Sequence, residues 1–180
     1  AAALEAARDE VAAAARAIDP DELIPRDQQW KLQWSRVIRW YQRTSDIARK
    51  SIHSEPSVYD LDVVIAFLQN CYHLRDWIET CRPELKEKTK DLFFRSFEMR
   101  ACRDVCNGFK HKNYKTPSQD ADFNLYREYD PFAADANPSL NAIKYRIAFL
   151  DGDDIRKYDL FEFTETCYRT WDNFLAQEMS

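Results

Sequence analysis

The residues best suited to chemistry fall in one stretch, "MRACRDVCNGFKHKNYK", residues 99–115. Read as a helix, it places Arg100, Arg103, Asn107 and then Lys110 or His111 at three- and four-residue steps on one face. Met99, Cys102, Cys106 and Phe109 fall on the other side, with Val105 near the boundary. The polar face thus gathers cations, an amide and an imidazole. A guanidinium holds two oxygens of an anion at once. An imidazole, titrating near ~6.5, takes up and releases protons at neutral pH. Two courses are open at Asn107-Gly108. Either the helix continues, or Gly108 takes the left-handed position after the last turn and Phe109 folds back as its apolar contact.

Each of these residues also has an ordinary structural role. A charged imidazole at a helix C-terminus is worth typically about 0.3–1 kcal/mol against the helix dipole, so His111 suits a cap. Arg103 suits an ion pair with Asp104, Glu98 or a neighbouring helix. His73 lies elsewhere, on a face shared by Asn70, His73 and Trp77 and flanked by Arg75-Asp76. That face reads as a hydrogen-bonded polar seam between helices. Alternatively it is a second part of the site, facing the Asn107–His111 turn, with Trp77 able to stack a base.

Cys102, Cys106 and one of His73 or His111 have ligand chemistry for zinc. Structural zinc sites show short paired spacings, and the chain has no CxxC, so no metal and no cofactor is expected. No Ser/His/Asp order, phosphate loop, HExxH or paired-carboxylate spacing is found. Asp151-Gly-Asp-Asp lacks the ligand periodicity of a calcium loop and reads as a hairpin turn.

The elements that must position these residues are mostly helical. Ten Ala in residues 1–17 form a helix or linker segment, residues 1–18, set apart from a single domain over 19–180. From Asp27 to about Lys50, Trp30, Trp34, Val37 and Tyr41 recur at helical spacing as a buried stripe. Arg36, Arg39 and Arg43 form a second stripe, whose ordinary role is a solvated face. Residues 51–60 read as a loop. Asp60 or Asp62 caps the next helix, which runs to about Cys81 with Val64, Phe67, Leu68, Cys71, Leu74 and Ile78 inward. Pro83 ends it or opens a helical stretch over 84–97, with Leu92, Phe93 and Phe97 apolar. Residues 98–107 continue as a helix after a bend.

The period then changes. Residues 122–130 and 142–150 alternate every second position, so Ile143, Tyr145, Ile147 and Phe149 face one way and Lys144 and Arg146 the other. From Asp159 to about Glu178 a last helix turns Leu160, Phe163, Cys167, Trp171 and Phe174 or Leu175 inward. The expected fold is mainly α: an up-and-down helical bundle with a small antiparallel β-hairpin insertion, at about 122–157, before the C-terminal helix.

Composition bounds the functions available. A chain of 180 residues can bury about 70% of its unfolded surface without staples. Two Gly argue against a barrel or a glycine-rich nucleotide loop. The longest apolar run, Val63 to Leu68, is far short of the ~20 residues that span a bilayer, and no leader pattern stands at the start, so no membrane partner is expected. Five Cys read as reduced thiols of a cytoplasmic protein. The net charge of −5 is uneven: residues 26–50 carry seven Lys/Arg against two Asp, and residues 95–115 six against two. Two local basic stretches therefore remain available to nucleic acid.

Three segments, "FLQNCYHLRDWI" (67–78), "DVCNGFKH" (104–111) and "YDLFEFTETCYRTWDNFL" (158–175), together resemble bacterial helical-bundle proteins of the HEPN superfamily. The family hallmark is an Arg, a polar residue after it, and a His several residues on. Here Arg103-Asp104 and His111 match it, with a spacing one residue longer than usual. The resemblance implies a metal-independent endoribonuclease in a toxin–antitoxin or phage-defence setting, with RNA as substrate and a homodimer or larger protein assembly. It implies Arg103 and His111 as catalytic residues, with Asp104, Asn107, Lys110, Arg100 and His73 supporting or binding RNA. Tyr114, near a position that carries a Tyr in some members, is implied as a modification site. Two other expectations stand beside it: a non-catalytic helical binding module within a larger assembly, and the partner half of a toxin–antitoxin pair.

Overall fold

The structure, a computed structural model, describes residues 24–49, 57–110, 123–129, 143–151 and 154–179. The Ala-rich segment, His111 and Tyr114 lie outside these residues. Among the described residues the chain is mainly helical, with five α-helices and one three-stranded antiparallel sheet. The helices are α1 (Trp30–Arg49), α2 (Val58–Cys81), α3 (Lys86–Arg95), α4 (Phe97–Lys110) and α5 (Leu160–Glu178). The strands are β1 (Phe123–Tyr129), β2 (Ile143–Asp151) and β3 (Asp154–Asp159).

Local chemistry sets the boundaries. α2 starts earlier than the carboxylates alone suggest. Its N-cap is Ser57, whose hydroxyl accepts from the Asp60 amide at 3.1 Å while the Asp60 carboxylate accepts from the Ser57 amide at 2.9 Å. Asp60 therefore closes a reciprocal capping box three residues inside the helix instead of serving as the cap. A 3₁₀ turn, Pro83–Leu85, opens α3, as proline at a first helical position allows. Ser96, in extended backbone, separates α3 from α4, and its hydroxyl accepts from the Met99 amide at 3.3 Å. Asp159 caps α5, accepting from the amides of Phe161 at 2.9 Å and Glu162 at 3.2 Å.

The expected hairpin is a three-strand sheet of order β1-β2-β3. β2 lies in the middle, with Leu125↔Ile147 on one side and Ile147↔Tyr158 on the other. β3 escapes the periodicity because its first four residues are all exposed and it runs straight into the cap of α5. Tyr145, Ile147 and Phe149 are buried, as the alternation predicts.

α1 packs along α2 and against α5, α2 packs on α4, and β2 and β3 rest on α5. The sheet joins the helices through aromatic rings: Phe149 lies 5.8 Å from Phe97 and 5.1 Å from Phe163, and Tyr158 lies 5.3 Å from Phe97. Offset and edge contacts at these distances each add about 0.5–1.5 kcal/mol beyond area burial. Trp171 is fully buried, and its indole N–H donates to the Cys71 carbonyl at 2.9 Å, tying α5 to α2. Among the described residues, no helix is long and apolar enough to cross a membrane.

Candidate functional site

α4 runs unbroken through Asn107 and Gly108 to Lys110, which settles the two courses in favour of a continuous helix. Its apolar side is wide: Met99, Ala101, Cys102, Val105 and Cys106 are all buried. Only a narrow polar strip remains, where Arg100, Arg103 and Asn107 are half-buried. Val105 lies inside the core and not at its boundary. The Lys110 side chain lies outside the described residues.

Each described site residue has a defined neighbour. The Arg103 Nε donates to the Asp104 Oδ1 at 2.7 Å. Asp104 is itself fully buried. The Arg100 Nη1 donates to the Phe94 carbonyl across the α3–α4 break. His73, on α2, reaches α4 from a neighbouring helix, with its Nε2 3.3 Å from the Cys106 Sγ. Cys106 stands one helical turn beyond Arg103 and next to Asn107 in the chain, so His73 joins the same end of α4. The three-residue set Asn70, His73 and Trp77 acts as a seam. Asn70 and Trp77 meet α1, and His73 meets α4.

Two participants give a weaker signal in the sequence. Cys106 reads as part of the apolar side of α4, or with His73 as a zinc ligand, and in the structure it is the hydrogen-bond partner of His73. Gln33 is buried on α1 and donates through Nε2 to Asn70 Oδ1 at 2.9 Å and to the Asn70 carbonyl at 3.1 Å. Its Oε1 accepts from Arg36 Nη1 at 2.9 Å. Gln33 could have been found: it is a polar residue set between Trp30 and Val37 on the predicted buried stripe, and a buried amide needs partners.

Behind the polar strip lies a group of thiols. Cys102 Sγ is 3.8 Å from Cys167 Sγ on α5, and Cys71 on α2 is a further buried thiol neighbour. All five cysteines are free thiols. Burial pushes Cys71 and Cys167 well above the ordinary thiol range, and their bonds to Cys102 add to it. Burial also opposes ionisation of Cys102, but the bonds from Cys167 and Cys71 outweigh it and hold that thiol below the usual range. Among the described residues, no group of three or more His, Cys, Asp or Glu is arranged to hold a metal ion.

No protein-family model, curated protein or solved structure matches the chain.

Chemically, the strip on α4 offers a guanidinium fixed by a buried carboxylate. It also offers an imidazole fixed by a thiol on the adjacent helix. A guanidinium held at Nε is oriented as a whole, and its planar fork matches a bidentate anion such as phosphate.

Proposed function

We propose that the chain is a HEPN-like domain, an up-and-down α-bundle that cleaves RNA without a metal ion in a toxin or phage-defence setting. It is a cytoplasmic protein and works as a homodimer or within a larger assembly. The observation that supports this reading most is the anchoring of Arg103. Its Nε is held by fully buried Asp104, while the guanidinium stays half-buried at the surface of α4. A group held in this way can clamp the phosphate of a scissile bond and balance charge building on phosphorus.

RNA supplies its own nucleophile, the 2′-hydroxyl. One group must remove that proton and another must protonate the leaving 5′-oxygen. His111, following Lys110 in the chain, takes one of these roles, and a partner copy's motif supplies the other. Asp104 orients Arg103, and Asn107, Lys110, Arg100 and His73 support the contact to RNA. Tyr114 is the site where a modifying partner acts.

Cleavage of total RNA in the presence of EDTA tests the reading, comparing the native protein with His111→Ala. General acid–base catalysis is worth about 10²–10⁴ in rate, so the variant should be slower by that factor. Equal cleavage by both proteins removes His111 from the mechanism.

A second reading has its own observation. Arg103 pairs with Asp104, and His73 pairs with Cys106, which are the partners a structural role would also provide. On this reading the chain is a non-catalytic binding module in a larger assembly. It predicts no cleavage by either protein and an unchanged binding partner when His111 is replaced.

A further inference from the structure

Helix α1 carries a charged face that the nuclease reading does not use. Arg36, Arg39 and Arg43 are all exposed and share one side of the helix at three- and four-residue steps. Over its length from Trp30 to Arg49 the helix has one acidic residue, Asp46, exposed one turn beyond Arg43. Among the described residues, none of these three arginines is held in an ion pair, although the chain as a whole carries a net charge of −5. Two of the three instead meet indole rings. The Arg36 guanidinium carbon lies 5.3 Å from the centre of the Trp77 ring on α2, and that of Arg43 lies 4.5 Å from the Trp40 ring.

Arg36 is also held from below. Its Nη1 donates to Gln33, which is buried and itself bonded to Asn70. Asp76, beside Trp77 in the chain, is engaged at 3.1 Å by Arg75, which also meets Glu79 at 3.4 Å. A hollow of about 280 Å³ opens next to Trp77, lined by Gln29, Asp76, Thr80 and Cys81.

We propose that this face of α1, with Trp40 and Trp77, is a track for single-stranded nucleic acid. Phosphates need uncancelled cations, and bases need flat apolar or guanidinium surfaces on which to stack. A guanidinium resting on an indole presents both: N–H groups at its edge and a flat outer surface. The three arginines cover about 10 Å of helix axis at the α-helical rise. A stacked strand places about three phosphates in that length, at roughly 3.4 Å each. An acidic peptide would be drawn by the same charge but would leave the rings and the hollow unused. The track is carried by α1 and α2 and needs neither Arg103 nor His111, so it shares with the nuclease reading only the class of partner.

The test measures binding of short oligo(dT) and oligo(U) by fluorescence anisotropy in EDTA, over a range of salt concentrations. DNA has no 2′-hydroxyl to attack, so the oligo(dT) arm reports binding whether or not the chain cuts RNA. The expected result is salt-dependent binding of at least one oligonucleotide, weakened about 10-fold or more at low salt by Arg36→Glu/Arg39→Glu/Arg43→Glu. Each phosphate contact contributes about 0.7 to the slope of log affinity against log salt, so three lost contacts lower that slope by about 2. Circular dichroism of the variant should match the native protein, because the three side chains are exposed, and its melting temperature should fall only modestly, since Arg36 alone of the three bonds a buried group. Should the triple variant bind as the native chain does, the track is refuted while the nuclease reading stands. Should arginine-dependent binding persist with no RNA cleavage, the track stands and the nuclease reading fails. Arginine-dependent binding of polyglutamate or of anionic vesicles, with no binding of either oligonucleotide, overturns the track in favour of another polyanion.

Discussion

On α1, Arg36 and Arg43 rest on indole rings, and among the described residues neither of them, nor Arg39, is held in an ion pair. On α4, Arg103 is tied to a buried carboxylate and Arg100 to a backbone carbonyl. A carboxylate partner fixes a guanidinium but cancels most of its charge at a distance. An aromatic partner fixes it less firmly and leaves the charge intact, adding about 0.5–1 kcal/mol at an exposed site. Both helices are locally rich in arginine, yet α4 positions its cations and α1 projects a field. The first arrangement suits contact with one chosen phosphate. The second suits capture of an extended polyanion.

The largest expected difference lies in stability. Arg103→Ala removes the guanidinium from a carboxylate that has no exposure to solvent. Stripping one partner from a buried pair costs about 3–5 kcal/mol. The lower end is expected here, since Arg103 is itself partly solvated and Asp104 has further interactions. Urea unfolding should show a loss of unfolding free energy of that order for Arg103→Ala, read as a lower midpoint, and a smaller loss for Arg103→Lys. A native-like midpoint for the alanine variant would mean that the Asp104 charge is satisfied without Arg103, and the contrast between the helices would collapse.

Next in size is Gln33→Leu. Gln33 is 2% exposed and connects Asn70 to Arg36. Leucine fills a similar volume but leaves the Asn70 groups short of a donor, for an expected loss of about 1–2 kcal/mol. Oligonucleotide affinity should fall by a few-fold only, because Arg36 keeps its contact with Trp77 and its charge. If affinity falls as far as in the triple arginine variant, the anchor matters more than the field, and α1 works by the same principle as α4.

How far the chain's residue pattern discloses this arrangement differs from residue to residue. The buried faces of α2 and α5 follow from strong helical periodicity, and all the residues expected inward are buried. The strand pattern of β2 follows from its alternation. β3 stays hidden because an exposed edge strand with charged residues carries no apolar period. The burial of Asp104 is not legible either. A helical wheel assigns one inner and one outer face, whereas α4 is covered over much of its circumference, by α2 among others. The pairing of His73 with Cys106 and of Arg36 with Trp77 depends on how helices meet across the bundle, which spacing along one helix does not encode. Gln33 is the intermediate case: its misfit on an apolar stripe is visible in the sequence, but its partners are not.

The smallest effect isolates charge from packing. Arg39 is exposed and, among the described residues, has neither a ring nor a carboxylate against it. Arg39→Ala should therefore change the unfolding free energy by less than about 0.5 kcal/mol. If α1 acts as a field source, the same change should still lower the salt slope of oligo(dT) binding by about 0.7, one phosphate contact. If stability and slope both stay fixed while Arg36→Ala and Arg43→Ala each lower the slope, only the ring-stacked cations touch the strand. The track would then be two separate Arg–Trp stations rather than a continuous charged stripe, and the indoles would matter as much as the guanidiniums.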